Sequence, residues 1–262
     1  MIHKIKRKLY KNNLVRYLYF ILLSLKRSTK KLKMPNLKDK IAIVTGSGRG
    51  IGRATVLLLA KQGCDLVLIS RTKKELEETK KEIERLGRQT LIIPMDVSDY
   101  KEIKNAVKKV IERFGRIDIL VNNAGIAMKE AKVKNITEEE IDKTFDVNCK
   151  GLFLMSKECL PALEKNSGVI INVSSVAGKK GYSEMSVYCA SKFAVIGFTE
   201  ALSQETNVKV YAVCPGATDT KLLRDLDPEM NTKLMAKPED VAKVILDAIN
   251  GSQPSGSSII VR

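Results

Sequence analysis

The chain has 262 residues, of which 44% are hydrophobic and 29% are charged, a composition typical of a globular protein with a sizeable core. The formal net charge is +16, but residues 1–34 contain eleven lysines and arginines and no acidic residue, so the rest of the chain carries only five of these charges. A mildly basic body argues against nucleic-acid binding. The single histidine, His3, lies in the basic segment, which argues against histidine triads and most transition-metal catalysis.

The cysteines are scattered, odd in number and free of any CxxC pair. They are Cys64, Cys149, Cys159, Cys189 and Cys214. This pattern predicts reduced, mostly buried thiols in a cytoplasmic protein, with no disulfide framework and no metal site.

Residues 1–34 form a basic, partly apolar N-terminal extension. Its apolar centre, 17–25, spans about nine residues, whereas a membrane-spanning helix requires about 20. Five apolar residues would share one face of a helix with cations on both flanks, which indicates an interfacial helix on an anionic membrane surface. They are Leu14, Leu18, Ile21, Leu22 and Leu25. Two alternatives stay open: an extension without a membrane role, and a natural start of the chain at Met34.

From residue 35 onward, β-branched runs alternate with helical patterns. Strands are predicted at 41–44, 66–69, 90–94, 117–121, 168–173, 208–213 and 258–261. Helices are predicted at 54–62, 74–86, 100–114, on both sides of Asn148, at 186–204 and from about Pro238, and Thr137 with Glu140 forms a capping box. The alternation predicts an α/β fold over residues 35–262: a single-domain, Rossmann-like, doubly wound parallel sheet of about seven strands with helices on both faces.

A glycine-rich turn, TGSGRGIG at 45–52, follows the first predicted strand and leads into the first helix. At this position a parallel sheet offers backbone N–H groups and a helix N-terminus to a phosphate, and glycines allow the phosphate to approach closely. The spacing is GxxxGxG, because a third glycine of a GxGxxG pattern would fall on Arg53. The turn predicts binding of a dinucleotide pyrophosphate; the alternative is a plain connecting turn.

Two arginines are predicted to lie near this turn. An acidic residue at the end of the second strand would bind the ribose 2′-hydroxyl of NAD, but here Ser70 is followed by Arg71, and Arg49 lies within the glycine turn. Guanidinium groups pair well with phosphate oxygens. The pair therefore favours NADP(H) over NAD(H), unless both are solvated surface residues.

Tyr188 and Lys192 are four residues apart in the predicted helix 186–204, so both side chains share one helical face. A neighbouring cation favours the phenolate, so this tyrosine could exchange a proton with a substrate at neutral pH. The same spacing occurs by chance in many helices, so other motifs must support the interpretation.

Seven motifs, taken together, resemble the short-chain dehydrogenase/reductase family in order and spacing over residues 37–222. They are TGSGRGIG (45–52), DVSD (96–99), NNAG (122–125), DVNCKG (146–151), INVSS (171–175), YCASK (188–192) and PGATDT (215–220). The resemblance implies an NAD(P)-dependent oxidoreductase that interconverts a carbonyl and a secondary alcohol on a small-molecule substrate. By analogy it also implies a homodimer or homotetramer.

The resemblance places a catalytic tetrad on Asn148, Ser175, Tyr188 and Lys192. It implies that Tyr188 is the acid/base, that Ser175 holds the substrate oxygen and that Asn148 supports a water relay. It further implies that Lys192 binds the nicotinamide ribose and lowers the pKa of Tyr188. Ser175 is preferred to Ser174 because the family serine lies thirteen residues before the tyrosine.

A larger set of residues is predicted to bind the cofactor. It consists of Gly46, Ser47, Arg49, Gly50, Ile51, Gly52, Arg71, Asp96, Val97, Asn122, Ala124, Gly125, Tyr188, Lys192, Pro215, Gly216, Thr218 and Thr220. In the family, Asp96 would meet the adenine, Asn122 and Gly125 would shape the floor of the site, and Thr220 would face the nicotinamide. Thr218 stands where the family often has valine.

The sequence as a whole predicts an NADPH-dependent oxidoreductase with an unidentified substrate and a substrate-side lid at 221–236. One alternative is a 3-oxoacyl-carrier-protein or thioester reductase, although the end of the chain, PSGSSIIVR, lacks the glycine-rich tail of many such enzymes. Another is a non-catalytic cofactor-sensing or scaffold protein. We expect a cytoplasmic protein, with peripheral membrane contact through residues 1–34 as an option.

Overall fold

A computed structural model describes residues 37–226, 229, 232 and 235–261. The predicted basic extension, with all three interpretations of it, lies outside these residues. Among the helices that the structure does describe, none is both long and apolar enough to cross a bilayer.

Seven strands form one sheet in the described part of the chain. They are β1 (Ile41–Thr45), β2 (Asp65–Ser70), β3 (Thr90–Pro94), β4 (Ile119–Asn122), β5 (Val169–Val173), β6 (Lys209–Cys214) and β7 (Ser258–Ile260). Their order is β3-β2-β1-β4-β5-β6-β7, and every neighbouring pair is parallel. The predicted doubly wound parallel sheet is confirmed. Its direction of winding reverses between β1 and β4, where such sheets bind ligands at the carboxyl ends of the strands.

Helices connect the strands and cover the sheet. They are α1 (Gly50–Lys61), α2 (Lys73–Arg85), α3 (Tyr100–Phe114), α4 (Glu138–Phe145), α5 (Gly151–Lys165), α6 (Ser186–Glu205), α7 (Lys221–Leu226) and α8 (Pro238–Ile249). A π-helical turn, Asp146–Lys150, joins α4 to α5, and short 3₁₀ turns occupy Val133–Asn135 and Val176–Gly178. Helix α1 begins four residues before the predicted start, because its first turn is rich in glycine and carries no helical apolar pattern.

Two cores pack against the two faces of the sheet, because successive side chains of a strand point in opposite directions. Ala42 and Val44 of β1 pack with residues of α1, α2 and α8, whereas Ile41 and Ile43 pack with residues of α3, α5 and α6. Burial on both faces explains why the strands are nearly continuous runs of aliphatic residues.

Local signals fix where several helices begin and end. The side chain of Asp99 caps α3 by accepting hydrogen bonds from the N–H groups of Lys101 and Glu102. The predicted capping box of Thr137 and Glu140 is confirmed at the start of α4. All five cysteines are free and buried, as predicted.

Candidate active site

A cleft of about 540 Å³ opens at the carboxyl ends of strands β1 to β6. Most of the predicted site residues line it: Gly46, Arg49, Gly50, Ile51, Arg71, Asp96, Val97, Ala124, Gly125, Ser175, Tyr188, Lys192, Pro215, Gly216, Thr218 and Thr220. The strand order thus brings together residues from six separate connections. Ser47, Gly52, Asn122 and Asn148 do not line the cleft.

The glycine turn forms one wall of the cleft. Gly46 and Gly50 have φ angles of +64° and +54°, which favour glycine. Arg49 precedes α1 without capping it by its side chain, and the first turn of α1 carries no carboxylate. The N–H groups at this helix N-terminus therefore suit an anion such as a pyrophosphate.

Ser47 and Gly52, two residues of the predicted cofactor set, stabilise the glycine turn on the side away from the cleft. The backbone N–H and the hydroxyl of Ser47 both donate to the carbonyl of Ile69, at 3.2 and 3.4 Å, and Ser47 is fully buried. A Cβ atom on Gly52 would lie 2.1 Å from the carbonyl oxygen of Gly46. In this structure Ser47 holds the turn against β2 and Gly52 packs against Gly46, and the expectation that both residues bind the cofactor stays a prediction.

Asn122 is also absent from the cleft wall. Its amide nitrogen donates to the hydroxyl of Ser156 and to Oδ1 of Asn172, both at 2.9 Å, so it ties β4 to α5 and β5. Asn123 lines the cleft instead, and its amide donates to the carbonyl of Thr45 at 2.9 Å. Neighbouring residues at a strand end face opposite ways, so Asn122 lies behind the cleft wall here, and its assignment to the cofactor floor stays a prediction.

Charged groups are concentrated at the end of the cleft near β2. Nη1 of Arg49 lies 3.4 Å from Oε1 of Glu75, and Nη1 of Arg71 lies 3.9 Å from Oδ2 of Asp96. Burial raises the pKa of Asp96, but hydrogen bonds from Ser98 and the charge of Arg71 outweigh it, so the net pKa is lowered. This carboxylate therefore stays ionised at neutral pH and forms part of the wall.

The same end of the cleft contains a polar group that lacks a partner. Among the residues that the structure describes, the hydroxyl of Ser70 is buried and makes no hydrogen bond. The hydroxyl lies beside Gly48, where an added Cβ atom would be 3.2 Å from it and 2.9 Å from the Cβ of Glu75, so no larger residue fits there. The uncapped helix, the glycine surface and this hydroxyl all fit a nucleotide that carries phosphate.

Tyr188 and Ser175 meet at the other end of the cleft. The hydroxyl of Ser175 accepts a hydrogen bond from the N–H of Ala177 at 3.1 Å, and its side chain is hydrogen-bonded to that of Tyr188. Ser174 also lines the cleft, but its hydroxyl donates to the main-chain carbonyl of Lys192 at 2.8 Å. The geometry agrees with the choice of Ser175 over Ser174.

Lys192 is buried one helical turn after Tyr188. Its Nζ donates to the carbonyl of Val173 at 3.2 Å and lies 5.8 Å from the centroid of the Tyr188 ring. Burial lowers the pKa of Lys192 to about 8, although the charges of Cys149 and Cys214 oppose the change. The side chain is therefore mostly an ammonium at neutral pH.

The phenol of Tyr188 has a raised pKa in this structure. Burial is the largest cause, and the hydrogen bond with Ser175 opposes it. Lys192 is not among the causes of this shift, and the expectation that it lowers the pKa of Tyr188 stays a prediction. The ammonium is held by the carbonyl of Val173 rather than by the phenol oxygen.

Asn148 lies behind this end of the cleft, in the π-helical turn, and is only 1% exposed. Its Oδ1 accepts from the N–H of Ile126 at 2.8 Å, and its amide nitrogen donates to the carbonyl of Ile126 and the hydroxyl of Ser191. A Cβ on Gly125 would lie 3.2 Å from this Oδ1 and 3.5 Å from Nζ of Lys192. Asn148 thus fixes the loop after β4 close to the lysine.

Apolar side chains that the motifs did not identify line the cleft next to Tyr188. They include Ile126, Ala127, Tyr182, Met185, Leu222, Leu223 and Leu226. The three leucines lie on helix α7, which is the first part of the predicted lid at 221–236. The last residue of the predicted lid, Ala236, forms a β-bridge with Thr218. The helical pattern of apolar residues after the PGATDT motif could have indicated the three leucines, whereas the other four residues carry no such signal.

A family model described as short chain dehydrogenase matches residues 40–231. The 3-oxoacyl-[acyl-carrier-protein] reductase FabG of Thermotoga maritima is 36% identical over 222 residues, covering 80% of this chain and 90% of that protein. Among solved structures, a short chain dehydrogenase from Burkholderia cenocepacia in complex with NADP has 31% identity and a TM-score of 0.79, covering 87% of this chain and 98% of that one. A 3-ketoacyl-(acyl-carrier-protein) reductase from Brucella melitensis complexed with NADH has 30% identity and a TM-score of 0.78, covering 86% and 97%. The chain therefore belongs to the short-chain dehydrogenase/reductase family and is an NAD(P)-dependent oxidoreductase that acts on CH–OH groups.

Proposed function

We propose that the protein is an NADPH-dependent reductase that converts an apolar carbonyl compound into a secondary alcohol, with Tyr188 as the proton donor. The observation that carries the proposal is the meeting of Tyr188, Ser175 and Lys192 at one end of a single cleft whose other end holds Arg49 and Arg71. A bound nicotinamide would supply the hydride.

The residues of this chain would supply a proton and position the carbonyl. Ser175 accepts a hydrogen bond from the N–H of Ala177, so no main-chain group takes its proton, which can turn from Tyr188 to a substrate oxygen. The phenol of Tyr188 would give its proton to the same oxygen as negative charge develops there. The Lys192 ammonium would bind the ribose hydroxyls and stabilise the phenolate that remains.

The raised pKa of Tyr188 supports reduction as the favoured direction. A phenol whose pKa is raised by burial keeps its proton at neutral pH and is ready to act as an acid. Oxidation of an alcohol would require the phenolate, which is scarce under these conditions. We therefore expect alcohol oxidation to increase as the pH rises above neutrality.

The preference for NADPH rests on Arg49 and Arg71. Both line the same end of the cleft, and neither is buried, so both side chains can move toward a 2′-phosphate. The similar solved structures do not decide the matter, because one of them holds NADP and another holds NADH at almost the same identity. The side chains of this chain therefore provide the argument.

The substrate side of the cleft favours an apolar ketone. The lining next to Tyr188 is made of aliphatic, methionine and tyrosine side chains. A second candidate is a 3-oxoacyl thioester of a carrier protein, which the similarity to the Thermotoga maritima reductase favours. The two candidates differ in the polarity and length of the group attached to the carbonyl.

Consumption of NADPH by the purified full chain tests the proposal. The carbonyl panel should contain cyclic and aliphatic ketones together with acetoacetyl thioesters, and Tyr188→Phe is assayed alongside. We expect turnover of apolar ketones and a loss of about 10²-fold or more in Tyr188→Phe. Turnover of the thioesters alone would favour the second candidate. Full activity of Tyr188→Phe would overturn the assignment of the proton donor.

A substitution elsewhere serves as the matched control. Tyr100 lies on α3, outside the cleft, and its hydroxyl donates to Glu158 at 2.7 Å. Tyr100→Phe also removes one phenol hydroxyl and should leave the kinetic constants unchanged. An equal loss in both variants would indicate damage to the fold rather than to the proton donor.

We also propose a cytoplasmic homo-oligomer in which the basic extension, residues 1–34, contacts an anionic membrane surface. Its clustered lysines and arginines and its apolar stripe support this role. Co-sedimentation of the full chain and of a variant lacking residues 1–33 with anionic vesicles provides the test. Equal binding of both forms would refute the membrane role, and sedimentation velocity would give the number of subunits.

A further inference from the structure

The end of the cleft near β2 contains a carboxylate for each of its two arginines. Glu75, in the first turn of α2, lines the cleft and pairs with Arg49 at 3.4 Å. A Cβ atom placed on Gly48 would lie 3.0 Å from Oε2 of Glu75 and 3.2 Å from the unpaired hydroxyl of Ser70. The carboxylate of Glu75 therefore lies over the glycine turn, beside the position where the proposed cofactor would enter.

We propose that Glu75 is a specificity-determining residue that weakens the binding of a 2′-phosphate by holding Arg49. This inference rests on the proposed preference for NADPH. Arg49 must leave Glu75, or share its donors, before it can contact a phosphate. A nucleotide with a free 2′-hydroxyl does not require this exchange. Glu75 therefore reduces the discrimination between the two cofactors that the arginines would otherwise produce.

The size of the effect follows from the exposure of the pair. The Arg49 and Glu75 side chains are 46% and 30% exposed, so water screens their attraction. An ion pair of this kind is worth a factor of about two to five in an equilibrium constant. The effect should be largest in dilute buffer, because salt screens exposed charges.

Calorimetry with two nucleotide fragments tests the inference without an assay of turnover. The probes are 2′,5′-ADP and 5′-AMP, which differ only in the 2′-phosphate, and the protein is the full chain. We expect Glu75→Gln to lower the Kd of 2′,5′-ADP by about two- to fivefold and to leave the Kd of 5′-AMP unchanged. In the Arg49→Met background the same substitution should have no effect, because the residue that it acts through is gone.

Glu78→Gln is the matched control. Glu78 is exposed on the same helix and lies outside the cleft. Glu78→Gln removes one negative charge, as Glu75→Gln does, but not next to Arg49. Equal effects of Glu75→Gln and Glu78→Gln would overturn the inference, as would an undiminished effect in the Arg49→Met background. The proposed NADPH preference is tested separately by the wild-type ratio of the two Kd values, whereas Glu75 is tested by the change in that ratio.

Discussion

The hydroxyl of Ser174 donates a hydrogen bond of 2.8 Å to the main-chain carbonyl of Lys192, and this bond ties the end of β5 to helix α6 one turn after Tyr188. The next residue, Ser175, directs its side chain toward Tyr188 instead. Two adjacent serines therefore differ in their contacts: the first is bonded to the helix, and the second is the one that we propose to contact the substrate.

Alanine substitutions should separate these tasks. Ser175→Ala removes a donor to the substrate oxygen, so we expect kcat to fall about 10²-fold with little change in the free energy of unfolding. Ser174→Ala removes a buried hydrogen bond to a helical carbonyl and should cost about 0.5–1.5 kcal/mol of stability. Steady-state kinetics and urea unfolding of both variants provide the comparison. The reverse pattern would show that Ser174, and not Ser175, faces the substrate.

The buried ammonium of Lys192 should make stability depend on pH. Its pKa is lowered to about 8 in the folded protein, so between about pH 8 and 10 the unfolded chain binds more protons than the folded one, and stability rises with pH. Other groups titrate in this range, so the quantity to measure is the free energy of unfolding of the wild type minus that of Lys192→Met. We expect this difference to rise by about 1–2 kcal/mol from pH 7 to about 9.5.

Urea unfolding at a series of pH values measures this difference. Lys81→Met, on the exposed face of α2, corrects for the general loss of one positive charge. A difference that stays flat or falls over this interval would show that Lys192 does not carry a lowered pKa.

Arg71 should contribute to the choice of cofactor. Arg71→Asp would replace a phosphate-binding guanidinium by a second carboxylate beside Asp96. We expect the ratio of kcat/KM for NADPH to that for NADH to fall by roughly tenfold or more. Arg85→Asp, an exposed charge reversal near the end of α2, is the control. An unchanged ratio in Arg71→Asp would refute the role of this arginine.

The glycine turn should tolerate no side chain at Gly52. Gly52→Ala would place a methyl group 2.1 Å from the carbonyl of Gly46, so we expect a loss of about 3 kcal/mol or more in the free energy of unfolding. Gly197, in the middle of α6, has open space around its Cα. Gly197→Ala should instead stabilise the protein by about 0.5–1 kcal/mol. Equal unfolding midpoints for the two variants would contradict this prediction.

Several features of the site could be predicted from the sequence because they depend on periodicity and spacing. Helical periodicity predicts that Tyr188 and Lys192 share one face, whereas Ser175 is implied by the resemblance to the family, in which the serine lies thirteen residues before the tyrosine. The motif NNAG did not reveal which asparagine faces the cleft, because the phase of a strand at its end is set by packing. The raised pKa of Tyr188 arises from burial. The spacing of residues in the sequence does not show how deeply this side chain is buried.

The fold was predicted more completely than the substrate side. Strands buried on both faces and helices with local caps carry strong local signals, so the order of elements could be derived. The wall formed by Tyr182, Met185 and α7 has no motif of its own. Its residues are distant in the sequence and come together only in the folded protein. Apolar residues in such segments form no sequence pattern that indicates a ligand.

Because Asp146–Lys150 form a π-helical turn, the direction of the Asn148 side chain depends on the number of residues in this segment. In a regular helix, seven residues complete nearly two turns, so Asn148 would lie on the same face as Met155, which packs in the core beneath the sheet. The wider turn shifts this register and directs the amide toward Ile126. A chain one residue shorter here would form a more regular helix with its amide pointing elsewhere. The number of residues in this segment therefore matters as much as their identity, and homologues with a deletion here would have lost the amide contact even where an asparagine remains.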